Sequence, residues 1–147
     1  MMKAEILKSY FEGKGGNSAM ISFNKAKRQS TWLDIILKEP EYFGEPYVLE
    51  FEKEVVLDVT NFEVLNDVLG DRMNEGVRKL VVDMGNVSRM TANALAVLTA
   101  KNEEFKAKGG EIVLANLTLL MENFLRELHF DTIFRIFGSV EEAMDLF

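Results

Sequence analysis

Lys79-Leu80-Val81-Val82-Asp83-Met84 is apolar nearly throughout. Soon after it, Arg89-Met90-Thr91-Ala92-Asn93-Ala94-Leu95-Ala96 opens a run that ends at Gly109-Gly110. A strand without alternation is buried on both faces, which favours a parallel strand covered by helices. From about Thr91 to Lys108 the residues Leu95, Leu98, Asn102 and Phe105 follow helical spacing, and Ala92, Ala96 and Ala100 are expected to let this helix approach the sheet closely. The double glycine stops it. Strand, short loop and helix start, in that order, make a natural place to present a signalling residue.

The same alternation extends outward in both directions. Tyr47-Val48-Leu49-Glu50-Phe51 alternates as a strand does, and Glu54-Val55-Val56-Leu57-Asp58 is a second apolar run. Thr60 or Asn61 can cap a helix whose apolar face is Phe62, Leu65, Val68, Leu69 and Met73, and Gly76 suits a left-handed stop. Beyond the double glycine, Glu111-Ile112-Val113-Leu114-Ala115 reads as another buried strand. A helix from about Leu117 to Leu128 follows it, then a short strand from Thr132 to Ile136. Ser139 caps a last helix, with Glu142 completing a capping box. Strands alternating with helices predict an α/β domain, its central sheet mostly parallel, with about four helices.

Residues 1–46 are expected to form an N-terminal extension to a domain spanning 47–147. Within it, Lys3 to Phe11 has the pattern of a helix, Lys14 to Ser18 of a flexible break, and Ala19 to Phe23 and Trp32 to Leu37 of strands. Pro40 and Pro46 bracket a loop before the main domain.

Composition narrows the functional classes. Residues 1–46 carry seven Lys/Arg against six Asp/Glu, and residues 47–147 ten against eighteen, giving +1 and −8 of the net −7. An acidic surface does not favour nucleic acid, whose binding rests on cations neutralising phosphates. The cluster Lys25-Ala26-Lys27-Arg28 is the single exception in type, and it holds three charges. No apolar run is long enough to cross a membrane, and Met1 to Ile6 carries no secretory h-region, so the expected location is cytoplasmic. With no cysteine and one histidine, His129, no nucleophile–base constellation can be assembled, and metal-ligand spacing is absent. Phosphate-loop and dinucleotide motifs are also missing. The expectation is a protein that is not an enzyme, uses no cofactor and holds no metal. His129 is read as a helix-end residue and Asp83 as a hydrogen-bonded turn former.

Four places in the chain carry a resemblance. They are Val55-Val56-Leu57-Asp58 with Val59-Thr60-Asn61, Leu80 to Val87, Met90 to Leu95, and Lys106 to Leu114. In order and spacing they resemble the STAS domain of bacterial anti-sigma factor antagonists, over about residues 47–147. The resemblance implies a non-enzymatic regulator of transcription. It would bind an anti-sigma factor that is also a serine kinase, and so release a sigma factor. It places the partner-binding surface at Asp58 and at Ser88, Met90, Thr91, Ala92, Asn93 and Ala94. In the family a loop serine is phosphorylated, which breaks the complex. A phosphate is tolerated at a helix N-terminus and adds about −1.5 to −2 charges there.

This chain departs from that pattern. Ala92 stands at the phosphoacceptor position, Thr91 before it, Asn93 at the next serine and Ala94 at the glycine. Thr91 and Ser88 are the nearby hydroxyls, open either to phosphorylation or to helix capping. The alternative function is a scaffold or sensory subunit in an assembly of STAS proteins, docking or forming a homodimer through residues 1–46. A small-molecule site at the open end of the sheet is a third reading.

Overall fold

The computed structural model describes residues 18–24, 32–42 and 44–147. The helix expected over residues 3–11, the Gly15-Gly16 break and the basic cluster at residues 25–28 lie outside them.

Six strands form one sheet: β1 (Ser18–Asn24), β2 (Trp32–Lys38), β3 (Tyr47–Phe51), β5 (Lys79–Asp83), β7 (Glu111–Ala115) and β8 (Ile136–Phe137), side by side in that order. The first two junctions are antiparallel and the other three parallel. The remaining strands, β4 (Val55–Leu57) and β6 (Val87–Met90), pair parallel with each other in a separate two-stranded ladder. Helices α1 (Phe62–Asn74), α2 (Ala92–Ala107), α3 (Leu119–Glu127) and α4 (Val140–Leu146) link or follow them, so the α/β fold with a mostly parallel sheet is as expected.

The two faces of the sheet are unequally covered. Leu49, Phe51, Leu80, Val82, Ile112 and Leu114 share the main core with Phe62, Leu65 and Leu69 of α1 and Leu95, Leu98 and Phe105 of α2. Their neighbours in sequence, Val48, Val81, Val113 and Ala115, face the other way and pack under α4. That alternation explains why β5 and β7 read as continuous apolar runs. β2 contributes Leu33, Ile35 and Leu37 to the main core, so it is integral to the same packing as the strands after residue 46.

Individual residues fix the joints. Asn102, wholly buried on α2, accepts from the Ile112 N–H at 2.9 Å and so clips the helix to the start of β7. Gly109 has φ +85° and ends α2 in the left-handed region, as does Gly76 after α1 with φ +103°. Gly110 serves a different need. A Cβ there would lie 2.1 Å from the Arg78 carbonyl oxygen, so only glycine admits this approach of β7 to β5.

Three sequence expectations are corrected, and one apolar run is placed. Residues 132–136 do not form a strand: Phe130–Thr132 is a turn of 3-10 helix, and the strand is the two residues Ile136–Phe137. Val87–Met90, expected as turn and loop, is a strand too short to show a period. The run at residues 54–58 is a strand at its centre, yet belongs to the small ladder and not the main sheet. Finally, Ala92, Ala96 and Ala100 face solvent, and Ala94 is the small residue buried against the core. Alanine at helical spacing fits either side of a helix, so spacing alone does not orient it. Among the described residues no helix is long and apolar enough to cross a membrane.

Candidate functional site

The small ladder holds the candidate site. β4 and β6 run in the same direction, so Leu57 and Met90 pair at their ends and the two following loops emerge together. The register shifts by one residue between Val55↔Val87 and Val56↔Arg89, which leaves Ser88 as an extra residue on β6. Its hydroxyl donates to the Val55 carbonyl at 3.2 Å. Ser88 is half-buried and committed to this irregularity.

The loop after β4 is a tight polar turn. Asp58 Oδ1 accepts from the Thr60 N–H at 2.9 Å and also from the Thr60 hydroxyl. Asn61 closes the turn from the other side. Its Oδ1 accepts from the Asp58 N–H at 3.1 Å, and its Nδ2 donates to the Val56 carbonyl at 2.8 Å. Asn61 stands at the N-cap position of α1, but its side chain caps nothing there because it is spent on this turn. The Asp58 carbonyl instead accepts from Phe62 N–H. The hydroxyl of Thr60, with backbone donors from Thr60 and Asn61, holds the Asp58 carboxyl below its ordinary pKa against a smaller opposing effect of burial. Asp58 is therefore a fixed negative charge near neutral pH. Val59, at the tip of this turn, is 64% exposed.

The loop after β6 is the start of α2. Thr91 N–H donates to the Leu57 carbonyl at 2.9 Å, which ties the two loops together. Thr91 is the N-cap in extended conformation, and its Oγ1 accepts from Ala94 N–H at 3.2 Å. Thr91, Ala92 and Asn93 are exposed, whereas Met90 and Ala94 are buried. The candidate residues thus divide. Asp58, Thr91, Ala92 and Asn93 reach a common surface, while Ser88, Met90 and Ala94 support it from beneath. Sequence reasoning read Asn61 as a cap of α1 and did not single out Val59 or the exposed Val97 one turn along α2 for this surface; the exposure of a valine could not be foreseen without the turn geometry.

Other chemistry-bearing residues lie apart. His129 is exposed, with φ +63°, in the turn that follows α3. Asp83 Oδ1 accepts from Gly85 N–H at 2.9 Å and Asn116 Nδ2 at 3.1 Å, the turn-forming role expected for it. Asp83, Gly85 and Asn116 line an open cleft of about 300 Å³ at the ends of the parallel strands, together with Glu50 and Asn86.

The STAS domain family model covers residues 21–143. The chain belongs to the STAS domain family. Solved structures agree on the fold of this STAS domain. A putative anti-sigma factor antagonist from Thermotoga maritima is 21% identical, with 67% of this chain and 85% of that chain covered and a TM-score of 0.60. The phosphorylated form of the Bacillus cell-fate determinant SpoIIAA is 17% identical, over 74% of this chain and 96% of that one, with a TM-score of 0.55. A murine solute carrier 26 family anion transporter is 15% identical over 95% of this chain but 23% of its own, with a TM-score of 0.59. Similarity therefore extends both to anti-sigma factor antagonists and to STAS domains carried by transporters.

Proposed function

We propose that this STAS domain is a non-enzymatic, cytoplasmic interaction module of the antagonist type. On this reading it binds an anti-sigma factor/serine kinase and thereby releases a sigma factor. The contact surface is the turn at residues 58–60 together with residues 91–93, and Val59 supplies an apolar contact between polar neighbours. The observation that carries the reading is the Thr91 N–H to Leu57 carbonyl bond, which makes two sequence-distant loops one rigid, exposed surface. Rigid surfaces lose little entropy on docking.

The usual serine switch is absent from this proposal, because Ala92 has no hydroxyl and occupies the first exposed position of α2. Ser88 is a poor substitute, since its hydroxyl is half-buried and engaged. Thr91 is the accessible hydroxyl, and phosphorylating it would use up the oxygen that caps the helix. The test is calorimetric titration with the kinase-type anti-sigma factor of the same cell. Binding that Val59→Asp weakens at least tenfold supports the reading; no binding to any such protein from that cell would sink it.

A second reading, a scaffold subunit among STAS proteins, is favoured by one specific observation. The N-terminal segment supplies β1, a seven-residue strand at the edge of the sheet. Affinity purification from native cells separates the two, by recovery of an anti-sigma factor or of other STAS proteins.

A further inference from the structure

The last strand of the six-stranded sheet is open on its outer side. β8 pairs with β7, and no strand among the described residues lies beyond it. The Arg135 and Phe137 carbonyls accept from the Leu114 and Asn116 N–H groups, so both residues turn their backbone toward β7. Successive residues of a strand turn theirs to opposite sides. The N–H and C=O of Ile136 therefore face outward, and neither is bonded among the described residues.

A cleft of about 560 Å³ runs along this edge, with the consecutive residues Phe134 to Phe137 as its floor. Its two walls differ. On the side of the main core stand Glu122 and Arg126 of α3 and Asp131 of the 3-10 turn. Ile136 belongs to that side, since it packs against the main core. On the side of α4 stand Phe137, packed in the smaller core, and Leu146, which is 65% exposed. The charges of the first wall do not cancel. Glu122 pairs with Arg126 at 3.0 Å, and Arg135 is held by Glu111 at 2.8 Å. Asp131 is exposed and forms no ion pair among the described residues.

A strand edge with a pocket on each side suits an extended peptide: main-chain bonds hold it, and the pockets select its alternate side chains. Ile136 is the one residue of β8 that turns both backbone groups outward. Antiparallel pairing lets a single guest residue satisfy both of them. A residue laid opposite Ile136 shares its face, so its side chain enters the charged wall, where Asp131 is the open carboxylate. Its two neighbours point the other way, onto Phe137 and Leu146. The shortness of β8 guards the edge against indiscriminate pairing, which leaves selection to the walls.

We propose that the cleft along β8 binds an extended segment of a partner protein by antiparallel strand addition, the segment reading apolar, basic, apolar with its basic residue opposite Ile136. This does not rest on the antagonist reading, because no residue of the Asp58 and Thr91 surface lines the cleft.

The test is an amide NMR titration of the intact chain with the end-blocked peptide Thr-Val-Lys-Val-Thr. Saturable binding is expected, with the largest shifts over residues 131–137 and slowed hydrogen exchange at the Ile136 amide. The same peptide methylated on the main-chain nitrogen of its lysine cannot donate to the Ile136 carbonyl and should not bind. Glutamate in place of that lysine should weaken binding roughly fivefold, as the loss of one exposed ion pair allows. Asp131→Lys should reverse the preference, and the altered peptides test the native chain without any variant. No binding of the lysine peptide at about 1 mM overturns the proposal. Equal binding of the methylated peptide overturns it too, as does indifference between lysine and glutamate. Shifts confined to residues 58–60 and 91–93 would assign the peptide to the other surface and overturn it equally.

Discussion

Replacing Asn61 by alanine should separate the stability of the turn from the function we propose for it. Asn61 is 9% exposed and makes two hydrogen bonds, to the Val56 carbonyl at 2.8 Å and from the Asp58 N–H at 3.1 Å. Each such bond contributes about 1 kcal/mol net. Loss of both therefore costs about 2 kcal/mol, near the lower end for deletions because Val56 and Asp58 are partly open to water that can replace the lost partner. In a domain of this size that is a fall in Tm of about 4–8 °C. Asn61→Asp should be worse than its isosteric shape suggests, since a carboxylate oxygen would replace the Nδ2 donor facing the Val56 carbonyl. Equilibrium urea unfolding gives the free energy, and titration of the partner gives the affinity. Under the proposal both fall for Asn61→Ala, because Asp58 and Val59 lose the clamp that holds their turn. A stability loss below about 0.5 kcal/mol would refute the assignment of both hydrogen bonds as structural.

The glycine pair after α2 makes a sharper contrast. Gly110→Ala should cost about 3 kcal/mol, the upper range for overpacking, because its Cβ would meet the Arg78 carbonyl at 2.1 Å; Gly109→Ala, with open space and only a positive φ to resist it, should cost about 1 kcal/mol in the same urea assay. Thr91→Ala removes the cap of α2 and should cost about 1 kcal/mol, while Thr91→Asp keeps an acceptor and should retain most of that stability. The pKa of Asp58 is lowered in the folded state, so its contribution is fully present above the unfolded carboxylate value and is lost as pH falls through the folded one. The difference in urea midpoint between the native chain and Asp58→Ala should accordingly be constant at neutral pH and shrink below about pH 4. Ala92→Ser should leave stability within about 0.5 kcal/mol, as exposed positions do, and a family kinase that then phosphorylates it in a radiolabel assay would report retained loop geometry.

What was legible in the sequence follows from burial. β5 and β7 announced themselves because both their faces are covered, and the apolar face of α1 was readable because every predicted member is buried. The capping roles of Thr91 and Ser139 were readable too, because an N-cap is a local signal. The small ladder was not. β6 has four residues with a bulge at Ser88, which destroys the alternation a reader would look for. The pairing of Leu57 with Met90 is a long-range fact with no local trace. The same reason hid the join between the Asp58 turn and the start of α2: it consists of one backbone hydrogen bond between residues far apart in sequence. The candidate site residues were named from their motif positions, and their division into exposed and supporting members had to come from the fold.

On the proposed reading, that division bears on how position 92 can lack a switch residue while the surface around it persists. The loops hang from the two-stranded ladder, which is anchored to the main core through Leu57, Val87 and Met90 and is not hydrogen-bonded into the six-stranded sheet. Its geometry is set by buried apolar residues, by the Ser88 bond to Val55 and by Asn61, none of which is the residue at position 92. Ala92 is exposed at the first turn of α2, where the helix is already capped by Thr91. Ala92 carries no hydroxyl, and the hydrogen bond that caps the helix is made by Thr91 and not by position 92. The fold therefore exerts little restraint on that side chain. Under the proposed function, a switch at position 92 can therefore be given up without a cost in stability, and the proposed contact surface of Asp58, Val59 and Thr91 can be retained for binding alone.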